Sequence, residues 1–174
     1  MSFADIWPFF DTAIKVGLGG GLVLFGAWFY GRKTPKEITQ NNRRIELLEE
    51  ISASVGTVNH CFARYSALAI ESTRFGKDWP AARRIELERV NSELVNEFKK
   101  LSDAEAKLLM LGEKTMEKTL RLYAAKIAIF RKQVYIGRQD ISDQEIADLK
   151  TSILMLREQF YDLLSRRYDR LLVA

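Results

Sequence analysis

The stretch Val16-Gly17-Leu18-Gly19-Gly20-Gly21-Leu22-Val23-Leu24-Phe25-Gly26-Ala27-Trp28-Phe29-Tyr30 carries no charge and stops abruptly at Gly31-Arg32-Lys33. Few structures accommodate such a run. Extended back through Phe9 and Phe10 it holds 22 residues. A helix of that length, at about 1.5 Å per residue, reaches about 33 Å, enough to cross a hydrocarbon core of about 30 Å. Residues 9–31 are therefore expected to form a transmembrane helix. Asp11 and Lys15 fall in its first turns; spaced i, i+4 they can pair, and at the edge of a span they reach the headgroup layer. Trp7, Phe9 and Phe10 at one border and Trp28, Phe29 and Tyr30 at the other suit the aromatic belts of the two interfaces. A cleaved signal fits less well, because no Lys or Arg precedes Lys15 and bulky aromatics stand where small residues are wanted. A buried core helix is the remaining alternative for a run whose strictly uncharged part is 15 residues long.

Charge gives the run a direction. Arg32, Lys33, Lys36, Arg43 and Arg44 follow it closely, whereas the leading side offers Lys15 against Asp5 and Asp11. The positive-inside bias predicts residues 1–8 outside the cell and residues 32–174 in the cytoplasm, with the chain in the cell inner (plasma) membrane, and Arg32, Lys33 and Lys36 as its topology-setting flank. Within the span, Ala13, Gly17 and Gly21 recur four residues apart and Gly20 broadens the stripe. Small residues stacked on one face let two backbones approach closely where lipid removes the hydrophobic drive, so these four are the expected helix–helix interface. Leu18, Leu22, Phe25 and Phe29 occupy another face, as lipid-facing residues would.

The rest of the chain is long enough to bury a core of its own as a single domain. The overall charge is +4; residues 1–31 hold Asp5, Asp11 and Lys15, a net of −1, which leaves +5 for the domain. That scattered excess suits a domain living against an anionic leaflet and falls short of a nucleic-acid binder's basic stripe. The single cysteine, Cys61, excludes an internal disulfide and matches a reducing compartment.

Every segment of this domain reads as helix. Thr34-Pro35-Lys36-Glu37 has the form of a capping box with proline at the first helical position. Behind it Ile38, Ile45, Leu48, Ile51, Val55, Val58, Phe62, Tyr65 and Leu68 recur at three- and four-residue steps, with Gly56 a weak point and Gly76 a stop. Asp78-Trp79-Pro80 opens a second helix with Ile85, Leu87, Val90, Leu94, Phe98 and Leu101 as its apolar face. Ser102-Asp103-Ala104-Glu105 resembles another capping box, which predicts a new helix or a bend. The third apolar face runs through Leu108, Leu109, Leu111, Met116, Leu120, Tyr123, Ile127, Phe130 and Val134, with Gly112 inside it and Gly137 ending it. Ser142-Asp143-Gln144-Glu145 caps a last helix bearing Ile146, Leu149, Ile153, Leu156, Phe160, Leu163, Leu164 and Leu171.

The expected helices thus cover about 35–75, 79–101, 103–136 and 143–172. Short connections favour antiparallel neighbours. The fold expected is all-α: a single N-terminal transmembrane helix followed by an antiparallel four-helix bundle or coiled-coil-like cytoplasmic domain. Heptads that slip at Ser52 and Asn59, and aromatics throughout, favour a globular bundle over a long parallel coiled coil.

Chemistry-bearing patterns are scarce. The one histidine, His60, adjoins Cys61, and neighbours on a helix point about 100° apart, so the two do not converge on a metal or make a nucleophile–base pair. His60 reads as a polar helix position and Cys61 as a small apolar filler. A di-iron bundle needs two Glu-x-x-His pairs, and position 57 is Thr. No phosphate-cradling or nucleophile-elbow motif occurs. The acidic pairs Glu49-Glu50 and Asp103 with Glu105 read as solvated faces, and Arg166, Arg167 and Arg170, mixed with Asp162 and Asp169, as surface pairs.

No enzyme, cofactor, metal, nucleic-acid or small-molecule role is therefore expected. The function expected is protein–protein interaction by a single-pass membrane protein: an oligomeric scaffold, an adaptor or a regulatory subunit of a membrane complex. Its partners would be the lipid bilayer, further copies of itself and an unidentified protein. A membrane-perturbing, pore-forming effector held inactive by its cytoplasmic bundle is the alternative.

Overall fold

A computed structural model of the chain describes residues 35–173, with side chains from residue 39 onward. The chain divides into two units, 1–42 and 43–174, and the second holds the bundle. The described residues are all-α: α1 (Pro35–Phe75), a 3-10 turn (Gly76–Asp78), α2 (Ala81–Met110), α3 (Lys114–Gln133) and α4 (Asp143–Val173). The expected span at 9–31 lies outside the described residues, as does Thr34 of the first capping box. Among those described, no helix is long and apolar enough to cross a membrane.

Side-chain pairs fix the helix directions. Glu71–Arg83, Arg64–Glu93 and Glu50–Lys107 step backward along α1 and forward along α2, so these two run antiparallel. Arg74–Asp143, Asn59–Arg157, Ser52–Tyr161 and Glu49–Tyr168 do the same for α1 and α4. The Asn91–Arg131 bond and the tight Leu111–Glu113 connection make α2 and α3 a hairpin, and Glu113–Arg167 brings the start of α3 to the end of α4. The edge-on contact of Phe62 with Phe130, 5.2 Å between centroids, crosses the middle from α1 to α3. This is an up-down-up-down four-helix bundle.

The core is more regular than the sequence suggested. Along α1 the seam is Leu48, Ile51, Val55, Val58, Phe62, Tyr65, Ala69 and Ser72, an unbroken alternation of three- and four-residue steps, with the buried Cys61, Ser66 and Leu68 beside it. The slips expected at Ser52 and Asn59 do not occur: Leu48, Ile51, Val55, Val58 and Phe62 pass both positions without a break in the alternation, and Ala69 and Ser72 extend it. In α2 the seam is Leu87, Val90, Leu94, Leu101, Ala104 and Leu108; in α3 it is Met116, Leu120, Tyr123, Ile127, Phe130 and Val134. In α4 Ile146, Ile153 and Phe160 repeat every seven residues, with Leu149 and Leu156 half-buried between them. Such heptads give the knobs-into-holes packing of a coiled-coil-like bundle.

Two helix limits differ from expectation. α2 runs straight through Ser102, whose hydroxyl donates back to the Phe98 carbonyl instead of capping a new turn. Leu101, Ala104 and Leu108 are all core residues, so tertiary packing carries the helix past a local cap signal. The break falls at Gly112, whose φ of +77° is a left-handed conformation that glycine adopts without penalty. The second helix begins at Ala81, not residue 79. Trp79 is buried, and its indole N–H donates to Glu71 Oε1 at 3.0 Å. Arg83 donates to both oxygens of that carboxylate, so one acid ties the corner between α1 and α2. The Ser142 box forms as expected: the Ser142 backbone N–H and hydroxyl donate to Glu145 Oε2 at 2.8 and 2.9 Å, and the Glu145 N–H donates to Ser142 Oγ.

Candidate functional site

The expected helix–helix interface, Ala13, Gly17, Gly20 and Gly21, and the flank residues Arg32 and Lys33 lie outside the described residues. Lys36 falls in the first turn of α1, and its side chain lies outside the described set as well. His60 and Cys61 sit as their helix spacing implies, His60 exposed and Cys61 in the core beneath α2. Burial pushes the Cys61 thiol up, and the nearby Glu97 and Glu93 carboxylates add to this, so the thiolate is disfavoured. Among the described residues no cluster of three or more His, Cys, Asp or Glu side chains is placed to hold a metal ion.

Several polar groups sit inside the bundle at positions that residue type alone does not foreshadow. Glu117 is buried, and the half-buried Glu105 faces it from α2. Burial, then the Glu117 charge, raises the Glu105 carboxyl, while Arg121 opposes both. Glu105 is thus no solvated residue, unlike Asp103, Glu49 and Glu50, which are exposed. Glu97 occupies the seam position between Leu94 and Leu101, where a hydrophobe would be expected, and Lys100 holds its carboxylate at 2.7 Å. Deeper still, the Tyr123 hydroxyl meets no protein hydrogen-bond partner, with Arg157 and Tyr161 as its charged and polar neighbours. Desolvation drives this phenol far above its ordinary range. Arg157 reaches Asn59 at 3.4 Å and Tyr161 donates to the Ser52 carbonyl at 3.4 Å, so a polar layer crosses from α1 to α3 and α4.

Among the open grooves that the described residues form, two have mostly apolar walls. One, of about 540 Å³, runs between α1 and α4 past Leu48, Ser52, Ala53, Tyr161, Leu164 and Tyr168. The other, of about 360 Å³, is lined by Tyr65, Leu87, Asn91, Arg131, Tyr135 and Ile136. There Asn91 Oδ1 accepts two bonds from the Arg131 guanidinium, which lies 6.0 Å from the Tyr65 ring centre. In neither groove does a nucleophile face a base. Their apolar walls offer contact area, the kind of surface on which another chain rests.

Exposed apolar side chains mark a further place. Leu109 and Met110 end α2 and Leu172 and Val173 end α4, all exposed, Met110 and Val173 to 84%. Leu109 stands out because its neighbour Leu108 takes the core position, and on a helix the two point about 100° apart. The same rule places Ile85 in solvent at 68% exposure, two residues before the buried Leu87. Residue type alone places both on apolar faces, and packing places both outside the core.

Comparison of the chain with family models, with curated proteins and with solved structures yields no match. The functional reading therefore rests on the chain's own physical features.

Proposed function

We propose that this chain is a single-pass protein of the cell inner membrane, anchored by residues 9–31, with its helical bundle in the cytoplasm acting by protein–protein interaction. A scaffold, adaptor or regulatory subunit of a membrane complex is the role that fits. The observation that carries this reading is the uncharged run ending at Tyr30, followed at once by Arg32, Lys33 and Lys36. A core filled by heptad seams and grooves with apolar walls support an interaction role over catalysis. Ala13, Gly17, Gly20 and Gly21 provide the self-association face within the membrane.

Alkaline extraction of membranes from cells expressing the full chain tests the anchor: retention in the pellet is expected, and release into the supernatant refutes it. A periplasm-active phosphatase fused after residue 174 should stay inactive, and strong activity refutes the orientation. Replacing Gly17 and Gly21 by Ile should weaken self-association in a membrane two-hybrid assay, and an undiminished signal removes the glycine stripe as an interface. Induction should leave the membrane potential unchanged; its collapse would favour a pore-forming effector instead.

A further inference from the structure

At the end of the bundle where α1 begins, exposed apolar side chains and unpaired basic ones stand together. Arg44, Leu48, Leu111, Glu113, Arg167 and Leu171 meet around one narrow gap there, which joins the start of α1, the α2–α3 hairpin and the end of α4. Leu109, Met110, Leu172 and Val173 stand exposed at this end.

The carboxylates at this end are mostly occupied. Glu46 is bound by Arg43 at 3.0 Å, Glu50 by Lys107 at 2.6 Å, Glu113 by Arg167 at 2.5 Å, and Glu49 accepts from the Tyr168 hydroxyl at 3.0 Å. Asp169 is exposed and has no ion pair among the described residues. Against that carboxylate and the likewise unpaired Asp162, one turn before Arg166, the cations Arg44, Lys114, Arg166 and Arg170 have no carboxylate partner among the described residues. At the opposite end Arg138 stands against Asp140, Asp143 and Glu145, but Arg74 pairs with Asp143, and Lys77, Arg84 and Lys132 are exposed without a carboxylate partner among the described residues, so that end is not acidic as a whole.

We infer that this end of the bundle docks on an anionic lipid surface, with Leu109, Met110, Leu172 and Val173 entering the headgroup layer and Arg44, Lys114, Arg166 and Arg170 meeting lipid phosphates. The inference rests on the proposed anchor. The apolar run lies upstream of the end at which Arg43 and Arg44 begin the bundle, and the residues from Gly31 to Arg43 span at most about 40 Å even when extended. Free cations beside exposed apolar tips are what an anionic leaflet attracts: the field acts on Lys and Arg, and the boundary region accepts apolar side chains. The tether, which keeps this end and not the far one within reach of the anchor, gives the docking one polarity.

The test uses the full chain in lipid nanodiscs. On a Cys61→Ala background, a fluorophore is placed through Met110→Cys or, at the far end, Asp140→Cys, with a quencher on the lipid headgroup. In discs containing phosphatidylglycerol the Met110→Cys label should be quenched at least about three-fold more than the Asp140→Cys label. High salt, or Arg166→Gln with Arg170→Gln, should remove most of that difference. Equal quenching of the two labels overturns the proposal. So does a Met110→Cys label shielded from aqueous iodide yet untouched by the lipid quencher, which would show a protein covering this end. Retention on the discs through an alkaline wash is scored in parallel. A chain washed off refutes the anchor alone, and the same labels read with phosphatidylglycerol vesicles added to the free chain then decide the docking separately.

Discussion

Replacing Tyr123 by Phe should make the bundle more stable, although it deletes a polar group from the centre of a natural core. The ring is fully buried, and its hydroxyl meets no protein partner. A buried hydroxyl without a bond costs about 1 to 3 kcal/mol in lost hydration, whereas Phe keeps the ring and its apolar contacts. The expected gain is therefore about 1 to 2 kcal/mol, which for a domain of this size raises Tm by roughly 3 to 8 °C. Urea titration of the full chain in mild detergent, followed by circular dichroism, should show a higher midpoint with an unchanged slope, since the surface exposed on unfolding stays the same. Tyr161→Phe is the contrasting control: it loses a long bond to the Ser52 carbonyl and should cost about 1 kcal/mol or less. A Tyr123→Phe midpoint below that of the parent would refute the reasoning. It would mean that the hydroxyl, set beside Arg157, belongs to a polar layer whose net effect is stabilising.

Gly56→Ala and Gly112→Ala should shift stability in opposite directions in the same urea assay. A Cβ at Gly56, inside α1, meets only the Tyr161 hydroxyl at 3.8 Å, so alanine should gain about 0.5 to 1 kcal/mol. At Gly112 the space is open but φ is +77°, and alanine there should lose about 1 kcal/mol. Ser142→Ala should lower stability by about 1 kcal/mol by removing the cap of α4, with faster amide exchange confined to its first turn. Acid should destabilise the bundle. Arg83, then the Trp79 indole, hold the Glu71 carboxyl below its usual range, and Glu50, Asp140 and Glu145 are lowered likewise. A carboxyl lowered in the folded state contributes stability that is complete above its unfolded value, about 4.5, and lost as pH falls through its folded value. Glu105, raised by burial, works in the opposite sense but is a single group. Tm should therefore fall below about pH 4.5, and Glu71→Gln should flatten that fall; an unchanged slope would show that the Glu71 corner carries no linkage.

Much of the bundle was legible because helix spacing and caps are local signals. The three- and four-residue steps from Leu48 to Leu68, the stop at Gly76 with φ of +55°, and the Ser142 box each depend on a few neighbouring residues. The errors arose where a distant contact outweighed a local one. Ser102 has the form of a cap, yet Leu101, Ala104 and Leu108 fill the core on both sides of it, and α2 continues. Ile85 and Leu109 are as apolar as their neighbours, and only the packing shows which of each pair faces inward. Glu97, Glu117 and Tyr123 were hidden for a related reason: charge and hydroxyl groups read as surface until a second helix covers them. The cations at the start of the bundle were visible in sequence. That they lack carboxylate partners was not, because Glu49, Glu50 and Glu113 find theirs on other helices.

The number of helices has a consequence of parity. With an even count running up and down, the chain returns to the side it started from, so Leu171 near the end of α4 lies beside Arg44 and Leu48. The turn at Gly76–Asp78 and the connection from Val134 to Ser142 stand at the other side, a helix length away, about 45 Å for the 30 residues of α2. A label or fusion added after residue 174 therefore reports on the side where the bundle begins. An insertion at Gly137 samples the remote side and leaves the starting side unobstructed.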